Sequence, residues 1–369
     1  MSTRTRPGAL LAGTLLALAS GAALPAGPGE VDLTWMSIAN VYIEAGPVRA
    51  VFDGYITRLP QAAFHGGGGG YAYTTRPFKP DVAAVARVLE ALGGPQSVNL
   101  LLTGHSHWDH SFDTATWSRL TGAPILGSRS TCFQAMAENV PAERCTAVYG
   151  GEKIALGEGV TMHVIRWNHS GDPAVNWEQH DPVELNAIPR PDPATGGLRA
   201  GVTEDFPNGG GNRALLFVFN GPQGRYSLFL QNSASPVDLH VPIVLDGIDY
   251  GAPIDNLRQA FAQAGLSHVD LWIGTGGKPI AERVVPVIRP RAYIPIHWDG
   301  LWEPFESGMP WAFNDPALEA YLAQQGVKFF KPGQYMDKWR LSVRGAQTLS
   351  NTRVKRALGF AEVQPIDRR

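Results

Sequence analysis

Residues 104–110 read Gly-His-Ser-His-Trp-Asp-His. His105, His107, Asp109 and His110 thus place three imidazoles and a carboxylate within six positions. Neutral imidazole and carboxylate are suitable ligands for zinc and similar divalent ions. On extended backbone, His105 and His107 point the same way. Asp109 and His110, at a turn into a helix, can face a second ion. Two ions a few ångström apart can clamp and activate one hydroxide. The competing reading is a polar loop with a chance histidine cluster, and four ligand-type residues so close together argue against it.

Such a cluster needs a rigid platform. Val98–Thr103 reads as a buried strand that ends at the cluster, and Asp113 can cap a following helix to about Leu120, stopped by Gly122. Upstream, Asp32–Ile38, Asn40–Glu44 and Val48–Asp53 read as three successive antiparallel strands. Pro80 opens a helix in which Val82, Val85, Val88, Leu89 and Leu92 keep helical spacing. Pro124–Gly127 reads as a strand and Thr131–Glu138 as a helix. Val160–Trp167 is a strong strand, and Arg213–Phe219 with Arg225–Gln231 reads as a hairpin. Then come a helix over 253–264, a strand over 269–274, a helix over 279–288, a strand over 291–296, a helix near 315–325 and short closing strands. Strands then βα units, twice over, predict a four-layer sandwich with helices outside two packed sheets, in one domain. Residues 168–212 keep no period and are rich in Pro, Gly, Asn and Asp. A long irregular insertion of this kind serves as a lid or binding loop.

His-x-His-x-Asp-His after a strand resembles the signature of the metallo-β-lactamase fold superfamily, and the resemblance extends over about residues 31–335. It implies an αββα sandwich with a dinuclear site, usually zinc, at the sheet edge. Asp53, in Val-Phe-Asp-Gly, matches the family's first motif, whose acid supports the metal site from behind the ligands. His169 matches the third motif, and His297, in Tyr-Ile-Pro-Ile-His-Trp-Asp, the last. Carried over, His105, His107 and His169 bind one ion, and Asp109, His110 and His297 the other. The implied enzyme is a hydrolase that turns a metal-bound hydroxide on an ester, lactone, amide or phosphodiester, with Asp109 orienting the nucleophile.

One departure matters. The Asp that bridges both ions in most hydrolases of the superfamily falls in Leu228-Phe229-Leu230-Gln231-Asn232-Ser233, where Asn232 or Ser233 stands instead. A neutral amide removes one negative charge from between two dications. Three consequences are open: a weakly held second ion, so that one ion binds; a bridge made by hydroxide alone, which is the expectation taken forward; or replacement by Asp172 or Asp299. The alternatives to a hydrolase are a mononuclear iron enzyme like the persulfide-oxidising relatives and a non-catalytic metal-binding relative. True β-lactam hydrolysis is disfavoured by the 168–212 insertion and the Asn-His-Ser-Gly context of His169.

The other histidines read more plainly. His163, His240 and His268 are expected to be structural, and His180 to be a solvated loop residue within reach of the site. His65, beside Gly66 to Gly70, resembles the flap that covers substrates in the superfamily. Tyr71, Tyr73, Trp302, Phe305 and Trp311 flank the motif-bearing loops and could wall an apolar pocket. The chain has 369 residues with 33 acidic and 31 basic, a net charge of −2. Without a basic surplus a nucleic-acid partner is not expected, and a small-molecule substrate is. Hydrophobic residues at 44% exclude wholesale disorder. Arg4 and Arg6, apolar Leu10 to Ala19 and the small residues from Ser20 to Ala23 predict a signal peptide over 1–26. The mature chain, 27–369, is then exported to a periplasmic or extracellular space and does not insert stably in a membrane. In such a compartment Cys132 and Cys145 are expected to pair as a disulfide. The oligomeric state is left open.

Overall fold

A computed structural model describes residues 29–64, 74–175, 177–309 and 311–360. The expected leader, His65, Tyr71 and Tyr73 lie outside the described residues.

Two large mixed sheets organise the fold. The first runs in spatial order Gly345–Leu349, Asp337–Ser342, Val31–Ser37, Asn40–Ala45, Val48–Phe52, Leu100–Leu102, Ile125–Gly127, Cys145–Ala147. The second runs Lys328–Phe329, Ala292–Pro295, Leu271–Gly274, Gly224–Leu230, Asn212–Gly221, Val160–Trp167, Lys153–Gly157. Hairpin-linked neighbours are antiparallel, as between Asn212–Gly221 and Gly224–Leu230. The strands from Val48–Phe52 to Cys145–Ala147 are parallel, as are those from Gly224–Leu230 to Lys328–Phe329. Parallel neighbours need crossover connections. Val82–Leu92, Thr114–Thr121 and Arg129–Ala137 supply them for the first sheet, and Pro253–Gln263, Gly277–Ile288 and Pro316–Gln324 for the second.

Period-two alternation makes the layers. In the second sheet Met162, Val164, Leu215, Phe217, Leu228 and Leu230 join one core with Leu33, Ile43 and Val51 of the first sheet. Their alternates Ile165, Trp167, Leu216, Val218 and Phe229 join another with Leu257, Phe261, Ile280, Val284 and Leu322 of the covering helices. The result is the expected αββα sandwich.

The elements read from the sequence keep their boundaries to within about three residues, but the edge strands Cys145–Ala147 and Lys153–Gly157 were not foreseen, and two further differences are of substance. Asp113 stands at the N-cap of Thr114–Thr121, but its side chain does not cap the helix. Its Oδ2 accepts from Ile56 N (2.6 Å) and Thr57 N (2.7 Å), and its Oδ1 from Thr57 Oγ1 (2.6 Å). Three donors on the buried segment after the third strand thus outcompete the helix end. The helix Thr352–Ala357 was not foreseen, because its six residues are too short to show a period. Cys132 and Cys145 form the expected disulfide, which ties Arg129–Ala137 to the edge strand Cys145–Ala147.

The 168–212 insertion is pinned rather than free. Leu198–Arg199 pairs with Pro77–Phe78, and Glu184 Oε2 accepts from both Ser130 N (2.8 Å) and Ser130 Oγ (2.6 Å). Among the described residues no helix is long and apolar enough to cross a membrane.

Candidate metal centre

The chemistry-bearing residues converge because each lies just past the end of a strand. Asp53 follows Val48–Phe52, His105 follows Leu100–Leu102, His169 follows Val160–Trp167, Asn232 follows Gly224–Leu230 and His297 follows Ala292–Pro295. Trp108–Ser111 forms a short helix whose N-cap is His107, and it turns Asp109 and His110 back towards the rim.

Two groups of donor atoms result. His105, His107 and His169 form one and Asp109, His110 and His297 the other, with the ligand atoms of each group within 4.8 Å of one another. In the second group His110 Nε2 lies 3.2 Å from His297 Nε2, and Asp109 Oδ2 lies 3.3 Å from each. In the first, His105 Nε2 lies 3.2 Å from His107 Nδ1. Bonds of about 2.0–2.1 Å to a tetrahedral zinc ion put neighbouring ligand atoms about 3.3–3.4 Å apart. The triangle is therefore the right size for one ion. The groups adjoin, since the rings of His105 and His110 are 4.0 Å apart between centroids.

The residues behind the ligands fix which nitrogen faces inward. His110 Nδ1 pairs with Asp53 Oδ2 at 2.7 Å, which leaves Nε2 for the centre. His169 Nδ1 faces Ser170 O at 2.8 Å, again freeing Nε2. Ser233 Oγ accepts from Ser170 N at 2.7 Å and so holds that loop. Asp53 also accepts from Gly104 N (2.9 Å) and Asn232 Nδ2 (2.8 Å). Such contacts orient ligands and raise their basicity. Asp53 and His297 both adopt left-handed backbone, with φ of 60° and 61°. Strain of this kind persists only where the surroundings over-determine it. Here Asp53 N donates to Leu102 O (2.7 Å) and His297 N to Ile38 O (2.8 Å). Gly104 is required for a different reason: a Cβ there would collide with the side-chain amide of Asn232.

Burial sets the charge states. Desolvation, then the neighbouring rings, hold His105 and His169 well below the ordinary imidazole range. Burial takes His107 down to about 3. All three are neutral with lone pairs available. Burial alone would raise Asp109, but the imidazoles of His110 and His297 hold it well below the usual carboxylate range. Burial alone would lower His110, but Asp109 and Asp53 push it up to about 10. This pocket therefore favours a positive charge beside Asp109 and Asp53, which a proton or a metal ion can supply. The donor set and its charge fit a divalent cation.

The position of the missing bridging acid resolves in part. Ser233 is committed to the His169 loop. Asn232 Nδ2 faces Asp53 and the outer nitrogens His105 Nδ1 (3.4 Å) and His110 Nδ1 (3.1 Å), and Asn232 Oδ1 is buried without a hydrogen-bond partner. Neither proposed substitute acid joins the donor groups. Asp299 Oδ2 accepts from Ile38 N at 3.0 Å, which steadies the carbonyl that holds His297. Asp172 Oδ1 accepts from Ala174 N at 2.8 Å, within its own turn.

Trp302 stacks on Trp108 (4.9 Å) and packs against Phe64 (4.8 Å), beneath the ligand-bearing turn. Phe305 is buried against Tyr335, while Trp311 stays exposed. His163 lies buried in its strand and His268 pairs with Asp270 at 3.2 Å. His180 corrects the solvated-loop expectation. Its side chain is nearly buried, its ring meets that of His169 edge-on at 5.4 Å, and its Nδ1 lies 3.5 Å from Asp238 Oδ2. No periodicity in the insertion could have signalled this.

No family model matches the chain. It is similar to two curated relatives, UPF0173 metal-dependent hydrolases of Pyrobaculum arsenaticum and Pyrobaculum islandicum, at 23% and 29% identity over 142 residues. Each match covers 38% of this chain and 52% of the relative, so the chain spans about half the length of the curated relatives it matches. Among solved structures, a metallo hydrolase from Ignicoccus hospitalis aligns over 84% of this chain and 98% of its own at 12% identity, with a TM-score of 0.48.

Proposed function

We propose that this protein is a metal-dependent hydrolase with a two-zinc centre held by His105, His107 and His169 on one side and Asp109, His110 and His297 on the other. The observation that carries the proposal is the pair of adjoining donor groups, five of their six residues buried, with the edges of the Asp109, His110 and His297 triangle at 3.2–3.3 Å, as tetrahedral coordination requires. The similarity to relatives named metal-dependent hydrolases supports the reaction class. When bound, such ions lower the pKa of a coordinated water towards about 7 and polarise a carbonyl or phosphoryl oxygen.

The chain's own residues supply the rest. Asp53 fixes the ring of His110 and, through Gly104 N, the start of the ligand loop. Asp109 presents one oxygen to the second ion position and is positioned to orient a nucleophile. Asn232 leaves the site one negative charge short of what an aspartate at that position would supply, so the ions would be held by the two donor groups alone. The substrate is a small molecule with an ester, lactone, amide or phosphodiester bond. A single-iron oxygenase would use one triad and leave three further buried donors without an ion, so the dinuclear hydrolase is preferred. Export to an oxidising compartment belongs to the same proposal and is supported by the Cys132–Cys145 disulfide.

Turnover of an ester, lactone and phosphodiester panel before and after exhaustive chelation tests the function. Loss of turnover, with recovery on adding zinc, is expected. Turnover that survives complete metal removal would refute it.

A further inference from the structure

Beside the metal centre the insertion and the segment 237–244 together enclose a cavity of about 500 Å³, within the range that holds small organic ligands. One wall comes from residues 168–182 and the other from residues 237–244. Its lining is mostly apolar, with Asp181 and Asp238 as its charged members. One end carries Asn168, the ligand His169 and His180, whose Nε2 is buried without a hydrogen-bond partner and whose Nδ1 faces Asp238 Oδ2 at 3.5 Å. The outer walls carry Trp177, Val237, Val241 and Val244, which are between 54% and 59% exposed. Large apolar side chains gathered in one exposed concave patch mark a binding surface. The inner end opens on a metal ligand, so a molecule lying along the cavity would place one end at the centre.

We propose that this cavity takes the hydrocarbon arm of the substrate, and that the substrate class is amphiphilic: a hydrolysable polar group at the metal end and an alkyl, acyl or aryl arm between Trp177 and Val241. The inference rests on the metal-centre reading above. It assigns the insertion a specificity role that the ligand motif does not carry. His180, backed by Asp238, offers polar ring atoms to the head group where the arm begins.

Linear alkyl hydroxamates test this, because the hydroxamate group grips a zinc ion while the chain length varies. Calorimetric titration of the zinc-loaded protein with the aceto-, butano-, hexano- and octanohydroxamates reads binding without turnover. Affinity is expected to rise about two- to fourfold per methylene added, hence at least about tenfold from butano- to octanohydroxamate. Val241→Asp and Trp177→Ala, both at the exposed rim and with metal content and circular dichroism checked, should flatten that dependence. Acetohydroxamate that binds, followed by no gain with chain length in the wild-type protein, overturns the cavity assignment and leaves the metal centre standing. Failure of every hydroxamate to bind, with no zinc retained, overturns both.

Discussion

At the scale of single residues the centre depends on groups that never touch an ion as much as on those that would. Asp53 contacts His110 Nδ1, Gly104 N and Asn232 Nδ2 at once. Asp53→Ala should therefore weaken metal binding by about 10- to 100-fold, as loss of ligand-orienting partners does elsewhere. Competition with a fluorescent zinc chelator measures it, and unchanged affinity would remove Asp53 from the account. His110 and its acidic neighbours add a second handle. Asp109 and Asp53 raise its imidazole to about 10 in the absence of a cation. Zinc entry must then displace a proton near neutral pH, and zinc affinity should rise with pH between about 6 and 8. His105, His107, Asp109 and His110 were legible because they crowd into one short motif. Asp53, His169 and His297 were legible only through the family resemblance, since each is a lone residue after a strand. His180 was legible as a residue within reach of the centre but not as a buried one, because its packing against His169 depends on how the insertion folds back.

At the scale of elements, strands were the clearest part of the sequence and irregular connections the least. Val160–Trp167 was read to the residue, because its alternating side chains feed two different cores. Residues 168–212 gave no pattern, because long-range ties such as Glu184 to Ser130 order them instead of a repeating face. Asp113 shows how tertiary contacts can override a local capping preference. Removing its carboxylate leaves Ile56 N and Thr57 N without their partner, and Asp113→Ala should destabilise the fold by about 2–4 kcal/mol. Burial also raises this carboxyl above the usual carboxylate range, to about 6. A raised acid binds its proton more tightly when folded. Its contribution is therefore full below the unfolded value and is lost as pH rises through about 6. The wild-type advantage over Asp113→Ala, read from urea midpoints, should be larger at pH 5 than at pH 8. The disulfide closes a sequence separation of 13 residues between a helix and an edge strand. Its reduction should cost about 3 kcal/mol. An unchanged urea midpoint in dithiothreitol would show that the bond adds nothing to stability.

At the scale of the whole molecule, the sandwich brings five strand ends to one rim, and the insertion adds the cavity beside it. The near-neutral charge of −2 over 369 residues said nothing about this chemistry. A ligand that binds only the folded state stabilises it as the logarithm of one plus the ratio of free ligand to its dissociation constant. Zinc at about 100 times its dissociation constant should add about 2.7 kcal/mol for each site filled, and chelation should lower the melting temperature accordingly. The most direct test is the metal stoichiometry of protein purified with zinc available, measured by inductively coupled plasma mass spectrometry beside His107→Ala and His297→Ala. The account predicts about two zinc equivalents per wild-type chain and about one in each variant. A wild-type chain that holds one equivalent or fewer under saturating zinc, or variants that still hold two, would contradict it.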